Sequence, residues 1–112
     1  MTELVISFTV DGIHFWPNVP EQYSEFGQPH RHLFKIICWY PITVKSTIDR
    51  PIELWELRQN TISWVEHYWK SKNGIVNFND MSCEGISSEI KNHCQFSKVF
   101  VGEEDFFGAI IS

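Results

Sequence analysis

The sequence predicts an α+β fold whose elements follow the order ββααββ within one domain of residues 1–112. Three observations support this prediction: alternating apolar residues near the start, two middle segments with apolar residues at helical spacing, and two short apolar runs around an acidic turn near the end. All of these elements bury their apolar sides together if both helices lie on one face of an antiparallel four-stranded sheet.

The first two strands are predicted on either side of a long loop. Between Glu3 and Val10 every second residue is a large apolar one, which is the period of a strand, and Asp11-Gly12 is expected to turn or bulge that strand. From His30 to Tyr40 the chain is rich in β-branched and aromatic residues, which predicts the second strand. The segment between them, Phe15–Pro29, contains several prolines, which donate no hydrogen bond to a sheet, and is predicted to be a loop.

Two helices and a hairpin are predicted in the second half of the chain. Asp49-Arg50-Pro51 has the residue types of a helix start, and the apolar spacing that follows predicts one amphipathic helix over residues 50–71. Ser82 is expected to cap a second helix, whose inner face is formed by residues three or four apart: Cys83, Ile86, Ile90 and Cys94. The apolar runs Phe96–Val101 and Phe106–Ile111 flank the acidic cluster Glu103-Glu104-Asp105 and predict a closing hairpin.

The composition limits the classes of partner and the compartment. Nine Lys and Arg leave a net charge of −5, which disfavours binding to nucleic acid or to an anionic membrane, so we expect small molecules or other proteins as partners. No apolar run approaches the roughly 20 residues that span a bilayer, and the start of the chain does not resemble a signal peptide. Three cysteines without C-x-x-C spacing favour reduced thiols, and together these features predict a cytoplasmic protein. The free edges of an open sheet favour a homo-oligomer.

Three histidines form a candidate metal site. His30 and His32 are two residues apart on a predicted strand, so both imidazoles lie on the same face at a spacing suited to neighbouring metal ligands. If the first two strands pair antiparallel, His14 reaches the other two rings. Three neutral imidazoles leave one tetrahedral position open, as in zinc sites that act on a substrate. The alternative is that the H-x-H pair is a coincidence and that His14 is a surface or core histidine with a backbone partner.

Several short motifs resemble the family of 6-pyruvoyl-tetrahydropterin synthase and 6-carboxy-tetrahydropterin synthase. F-T-V-D-G-I-H (Phe8–His14) and P-H-R-H (Pro29–His32) are similar to its opening strand, first histidine and H-G-H motif. Further on, I-E-L-W-E-L-R (Ile52–Arg58) is similar to the family's entry to the first helix, S-C-E (Ser82–Glu84) to its entry to the second, and V-F-V-G-E (Val99–Glu103) to its closing V-x-V-x-E. The motifs follow in the right order over nearly the whole chain, as in a divergent member.

The resemblance implies a tunnelling fold, in which subunits join their sheets edge to edge into a barrel, as a trimer that can pair into a hexamer. It implies a zinc ion on His14, His30 and His32 and a pterin pocket at the subunit interface. Glu103 matches the family's carboxylate that grips the pterin, where a bidentate, charge-assisted contact suits an acid. Ser82 lies in the stretch similar to the family's entry to the second helix, and the resemblance assigns it, like Glu103, to ligand binding.

The chain departs from this family at the positions that move protons. Four residues before the H-x-H motif the family has a cysteine that acts as general base, and this chain has Phe26. Glu25 is the nearest ionisable side chain, and some members use a glutamate in this region. The family's L-D-H stretch after the first helix has no counterpart in Ile75–Asp80, so His67 would have to substitute for it from within the helix. Arg31 replaces the glycine of H-G-H and is expected to face away from the metal.

Three hypotheses follow for the function. The first is a zinc-dependent lyase of the tetrahydropterin-synthase type that acts on dihydroneopterin triphosphate, with Glu25 or His67 moving protons. The second is a catalytically degenerate protein of the same fold that binds a pterin-like or purine-like ligand without converting it. The third is a structural oligomer with a vestigial site.

Overall fold

The computed structural model describes residues 2–104 and 106–112, and it has the predicted α+β class. A 3-10 helix, Glu21–Gly27, lies in the predicted loop between the first two strands. In chain order the strands and α-helices are β1 (Thr2–His14), β2 (His30–Ile42), α1 (Leu54–Tyr68), β3 (Val76–Asn79), α2 (Cys83–Cys94), β4 (Lys98–Glu103) and β5 (Phe107–Ile111). Asp105, in the predicted acidic turn, lies outside the described residues. Of the helices described, none combines the length and the apolar character that a membrane crossing needs.

The sheet has five strands in the order β3-β1-β2-β4-β5, so the predicted count of four strands was one too low. The additional strand, β3, pairs parallel to the end of β1, and all other pairs are antiparallel. Its sequence, V-N-F-N, alternates buried Val76 and Phe78 with exposed asparagines. Four residues are too few for this alternation to be distinguished from a loop in the sequence alone.

The core lies between one face of the sheet and the two helices. Along β1 and β2 every second side chain is buried, and the side chains between them are exposed or half-buried. None of the described helices therefore lies over the opposite face of the sheet, and Val5 and Leu33 are about half exposed there. The core is formed by residues of β1 (Ile6, Phe8, Val10), β2 (Phe34, Ile36, Cys38), β4 (Val99, Val101), α1 (Val65) and α2 (Ile86, Ile90), with Val76 and Phe78 of β3 beside them.

One helix begins where the sequence predicts, and the other does not. Helix α2 is capped as expected, since the hydroxyl of Ser82 accepts a hydrogen bond from the backbone N–H of Gly85 at 3.2 Å. Helix α1 starts at Leu54 and not at residue 50, because the carboxylate of Asp49 accepts from the N–H of Lys45 and caps the preceding turn instead. Glu53 takes the capping role and accepts from the N–H of Glu56 at 2.7 Å.

The dipeptide Asp11-Gly12 neither turns nor ends β1, contrary to the prediction, and the strand continues to His14. Close packing of aromatic rings against the backbone explains why residue 12 is a glycine. A Cβ atom at this position would lie 2.6 Å from a ring carbon of Phe78 and 3.1 Å from one of Phe34. The missing side chain lets these two buried rings pack edge to face directly below the last residues of β1.

Gly12→Ala is expected to lower the stability of the fold by about 1–3 kcal/mol, because the added methyl group forces the Phe78 ring out of its position. Gly85→Ala is the matched control, since its Cβ would meet no atom closer than 3.6 Å and alanine favours a helix by about 0.5–1 kcal/mol. Urea unfolding of both variants measures the difference. Equal stability of the two variants would contradict this account of Gly12.

Candidate metal centre

Three imidazoles meet where β1 ends and β2 begins. In the antiparallel register His14, the last residue of β1, lies directly opposite His30, the first residue of β2, and His32 follows on the same face. The ring centroids of His14 and His30 are 4.6 Å apart, those of His30 and His32 4.9 Å, and those of His14 and His32 5.4 Å. One potential ligand atom from each ring lies within 4.8 Å of the others. The predicted convergence of the three rings is therefore present.

The neighbouring side chains hold the rings on this face of the sheet. Phe34 is fully buried, and its ring packs edge to face against His14 at 5.1 Å and His32 at 5.7 Å. Arg31 lies between the two histidines in sequence, and its Nε–H and one Nη–H donate to the two carboxylate oxygens of Asp11, as expected for a side chain that faces away from the site. This contact lowers the pKa of Asp11 below its ordinary value.

Backbone carbonyls orient two of the imidazoles. The Nδ1–H of His14 donates to the carbonyl oxygen of Met81 at 2.9 Å, and that of His30 donates to the carbonyl oxygen of Gln28 at 2.9 Å. In its neutral form each of these rings then presents the lone pair of Nε2, which is the form that binds a metal ion. On the third ring, the Glu104 carboxylate lies 3.5 Å from Nδ1 of His32, further than these two hydrogen bonds.

The surroundings of the His14 Nε2 atom indicate whether these residues suit a bound cation. His14 is only 7% exposed, and its Nε2 is buried without a hydrogen-bond partner among the described residues. A carboxylate oxygen of Glu103 lies 3.2 Å away but also carries only lone pairs, so the contact supplies no hydrogen bond. Burial lowers the pKa of His14, which disfavours a proton at this place. A bound cation would satisfy both groups, and three imidazoles are a ligand set that zinc accepts.

A cavity of about 510 Å³ opens beside the three histidines. Its size suits a small organic molecule. Aromatic side chains line one part of it, and the start of α2 lines another. The lining includes His14, His30, His32, Trp16, Phe26, Phe107, Asp80, Ser82, Cys83, Glu84 and Glu103.

Phe26 occupies the wall of the cavity at the position where the resemblance places a catalytic cysteine. Its ring packs edge-on against His30, with 5.9 Å between centroids. Its carbonyl oxygen accepts a hydrogen bond from the N–H of Trp16 at 2.9 Å, and Trp16 in turn stacks on Tyr23. The loop after β1 therefore presents a set of aromatic rings to the cavity and carries no proton acceptor at this position.

The other predicted site residues divide into two groups. Ser82 and Glu103 line the cavity. Glu25, exposed on the 3-10 helix, and His67, exposed near the end of α1, are not among the described residues that line it. Their predicted roles as proton carriers have no support in the position of their side chains.

Cys83 lines the cavity and was assigned to the core by the sequence. Its Sγ lies 3.9 Å from an oxygen of Glu103. Burial, together with the nearby carboxylates of Glu103 and Glu84, raises the pKa of this thiol to about 12. Cys83 is therefore protonated at neutral pH. Its place directly after the cap residue Ser82 was the only sequence signal that could have located it at the site.

The comparisons with known proteins bear on the fold. No protein-family model matches the sequence, and a search of curated proteins found no match. Among solved structures, the chain is similar to 6-pyruvoyl tetrahydropterin synthase of Caenorhabditis elegans, with a TM-score of 0.70. The likeness covers 99% of this chain and 94% of that one at 12% sequence identity. The chain has the fold of a tetrahydropterin synthase.

The stability of the metal-free protein is expected to fall as the pH drops through about 6.5. The unfolded chain binds a proton at His14 near that pH, whereas burial lowers the pKa of His14 in the folded chain, so acid favours unfolding. Urea unfolding between pH 8 and pH 5 measures the loss. His14→Asn, whose amide nitrogen takes the place of Nδ1 and can still donate to the Met81 carbonyl, should lose less stability over this interval. His67→Gln, which removes an exposed imidazole, should behave as the unaltered protein, and identical pH profiles for all three would contradict the assignment.

Proposed function

We propose that this protein is a metal-dependent binding protein with a tetrahydropterin-synthase fold, which holds zinc on His14, His30 and His32 and a pterin-like or purine-like ligand in the adjacent cavity. The observation that carries the proposal is the convergence of three imidazoles at the wall of an aromatic cavity, with the Nδ1 atoms of two of them bound to backbone carbonyls. When bound, zinc supplies a Lewis acid that polarises a carbonyl or hydroxyl oxygen of the ligand.

The aromatic walls support a planar ligand. Trp16, Phe26 and Phe107 line the cavity and are 45%, 42% and 67% exposed, so they offer ring faces and edges that a heterocycle can cover. Stacking between aromatic rings is favourable beyond the area it buries. Carboxylates and the Ser82 hydroxyl at the start of α2 offer acceptors for the N–H groups on the edge of such a ring.

The loss of the expected proton carriers favours binding without turnover. Phenylalanine at position 26 has no ionisable group, and the two candidate substitutes, Glu25 and His67, do not line the cavity in the part of the chain that is described. General acid–base catalysis needs a group within hydrogen-bond reach of the reacting atom, directly or through one water. The cavity therefore retains features for holding a ligand and lacks those residues for moving its protons.

A second candidate function is that of a zinc-dependent lyase acting on dihydroneopterin triphosphate, the activity that the family resemblance implies. It is favoured by the fold likeness over almost the whole chain and by the Cys83 thiol in the cavity wall. For this reaction Cys83 would have to lose its proton, which its raised pKa opposes in the metal-free protein.

We also propose a homo-oligomer, a trimer or a hexamer, with the cavity near a subunit boundary. One face of the sheet carries no helix, and β5 forms one edge of the sheet. Phe106 and Phe107 at the start of this edge are 82% and 67% exposed. An apolar sheet edge of this kind favours pairing with another strand.

The cysteines Cys38, Cys83 and Cys94 are free thiols, which supports the cytosol as the compartment.

Purified protein is expected to contain about one zinc ion per chain, because the three imidazoles supply one site. His30→Ala and His32→Ala should lose the metal and its stabilising effect, whereas His67→Ala should keep both. Metal analysis combined with thermal unfolding measures this. Unaltered protein that takes up no zinc and is not stabilised by it would favour the vestigial site.

Dihydroneopterin triphosphate is expected to raise the melting temperature of the zinc-loaded protein without releasing triphosphate. The reason is that the cavity binds a planar ring and lacks a proton acceptor at Phe26. Calorimetry and a triphosphate-release assay separate the two functions. Turnover by the unaltered protein would establish the lyase, and turnover gained by Phe26→Cys alone would show that a single missing base limits the reaction.

A further inference from the structure

We propose that Glu103 is a fourth protein ligand of the same metal ion, so that the resting centre is closed by a carboxylate and not open to water. This inference rests on the proposed metal site. It replaces the role of gripping the organic ligand, which the resemblance gives to Glu103. Structural zinc sites are typically closed by four protein ligands, whereas catalytic ones keep a position open.

The position of Glu103 in the sheet brings its carboxylate to the imidazoles. Glu103 is the last residue of β4 and lies opposite Phe34, two residues after His32 on the neighbouring strand. Its Oε1 lies 3.2 Å from Nε2 of His14, and its Oε2 lies 3.6 Å from Nε2 of His32. Ligand atoms about 2.0–2.1 Å from a tetrahedral zinc ion are separated from each other by roughly 3.4 Å. The carboxylate therefore approaches two of the three imidazoles at about this spacing, each through a different oxygen.

The charges at this contact require a cation or a proton between the groups. The Nδ1–H of His14 is donated to the carbonyl of Met81, so Nε2 has only a lone pair. This atom is buried, has no hydrogen-bond partner in the described chain, and faces a carboxylate oxygen that likewise has only lone pairs. A divalent cation held by both groups removes the repulsion and gives the buried nitrogen a partner.

The two adjacent glutamates approach His32 from opposite sides of its ring. Glu103 contacts Nε2 of His32, and Glu104 lies 3.5 Å from Nδ1. The Glu104 carboxylate is itself held by the backbone N–H of Leu33 at 3.1 Å. Glu104 is thus placed to orient the His32 imidazole, whereas Glu103 is placed to bind the same metal ion as His32. These positions predict different effects for two otherwise similar substitutions.

The experiment compares zinc and cobalt binding by purified unaltered protein and by three isosteric variants. Chelator competition gives the zinc affinity, and the visible absorption of bound Co²⁺ reports its coordination. Glu103→Gln should weaken zinc binding by about 100-fold or more and change the Co²⁺ spectrum, because a direct ligand is removed. Glu104→Gln should weaken binding by roughly 10-fold with the spectrum unchanged. Glu66→Gln, which alters an exposed carboxylate of α1 that does not line the cavity, should change neither.

The outcomes separate this inference from the proposed function. If unaltered protein binds zinc and Glu103→Gln binds it equally tightly with the same Co²⁺ spectrum, Glu103 is no ligand and the inference fails while the three-histidine site stands. If unaltered protein binds no zinc, both fail, and the contact between Glu103 and His14 is bridged by a proton. Should Glu103→Gln fail to fold, Glu103→Asp applies the same test, because it keeps the charge and withdraws the carboxylate. An unchanged affinity and spectrum in that variant would also overturn the inference.

Discussion

The antiparallel register between β1 and β2 is the constraint on which the site depends. It places His14 opposite His30 and leaves His32 on the same face. A shift of the pairing by one residue would move every side chain of one strand to the other face of the sheet, so that Arg31 would replace the two histidines at the site. The core resists such a shift of β2, because Phe34, Ile36 and Cys38 would leave it.

The site is assembled from the ends of several elements and not from any one of them. β1 and β2 supply the imidazoles, β4 supplies Glu103, and the residue before the cap of α2 supplies the carbonyl that orients His14. The edge-to-face packing of Phe34 and Phe78 under this junction explains why Gly12 is needed close to the three histidines. Core packing and site geometry are therefore linked through the same rings.

The chemistry of the site is divided between metal-binding and ligand-covering groups. Imidazole nitrogens and a carboxylate are gathered at the buried end of the cavity, and aromatic rings lie along its more exposed wall. Glu25 and His67, the proton carriers that the sequence suggested, do not line this cavity in the described part of the chain, and burial keeps the Cys83 thiol protonated. The carboxylates of Asp80 and Glu84 do line it. This arrangement is the basis of the proposed binding function.

The sequence by itself determined the α+β class, the placement of His30 and His32 on one face, and the Ser82 cap of α2, because periodicity and capping depend on residues close together in the chain. The contact of His14 with those histidines followed once antiparallel pairing was assumed. Only the tertiary structure decided that β1 continues through Asp11-Gly12, that β3 joins the sheet, and that Glu103 and the Met81 carbonyl meet His14. Those features depend on contacts between residues far apart in the chain, which no local pattern records.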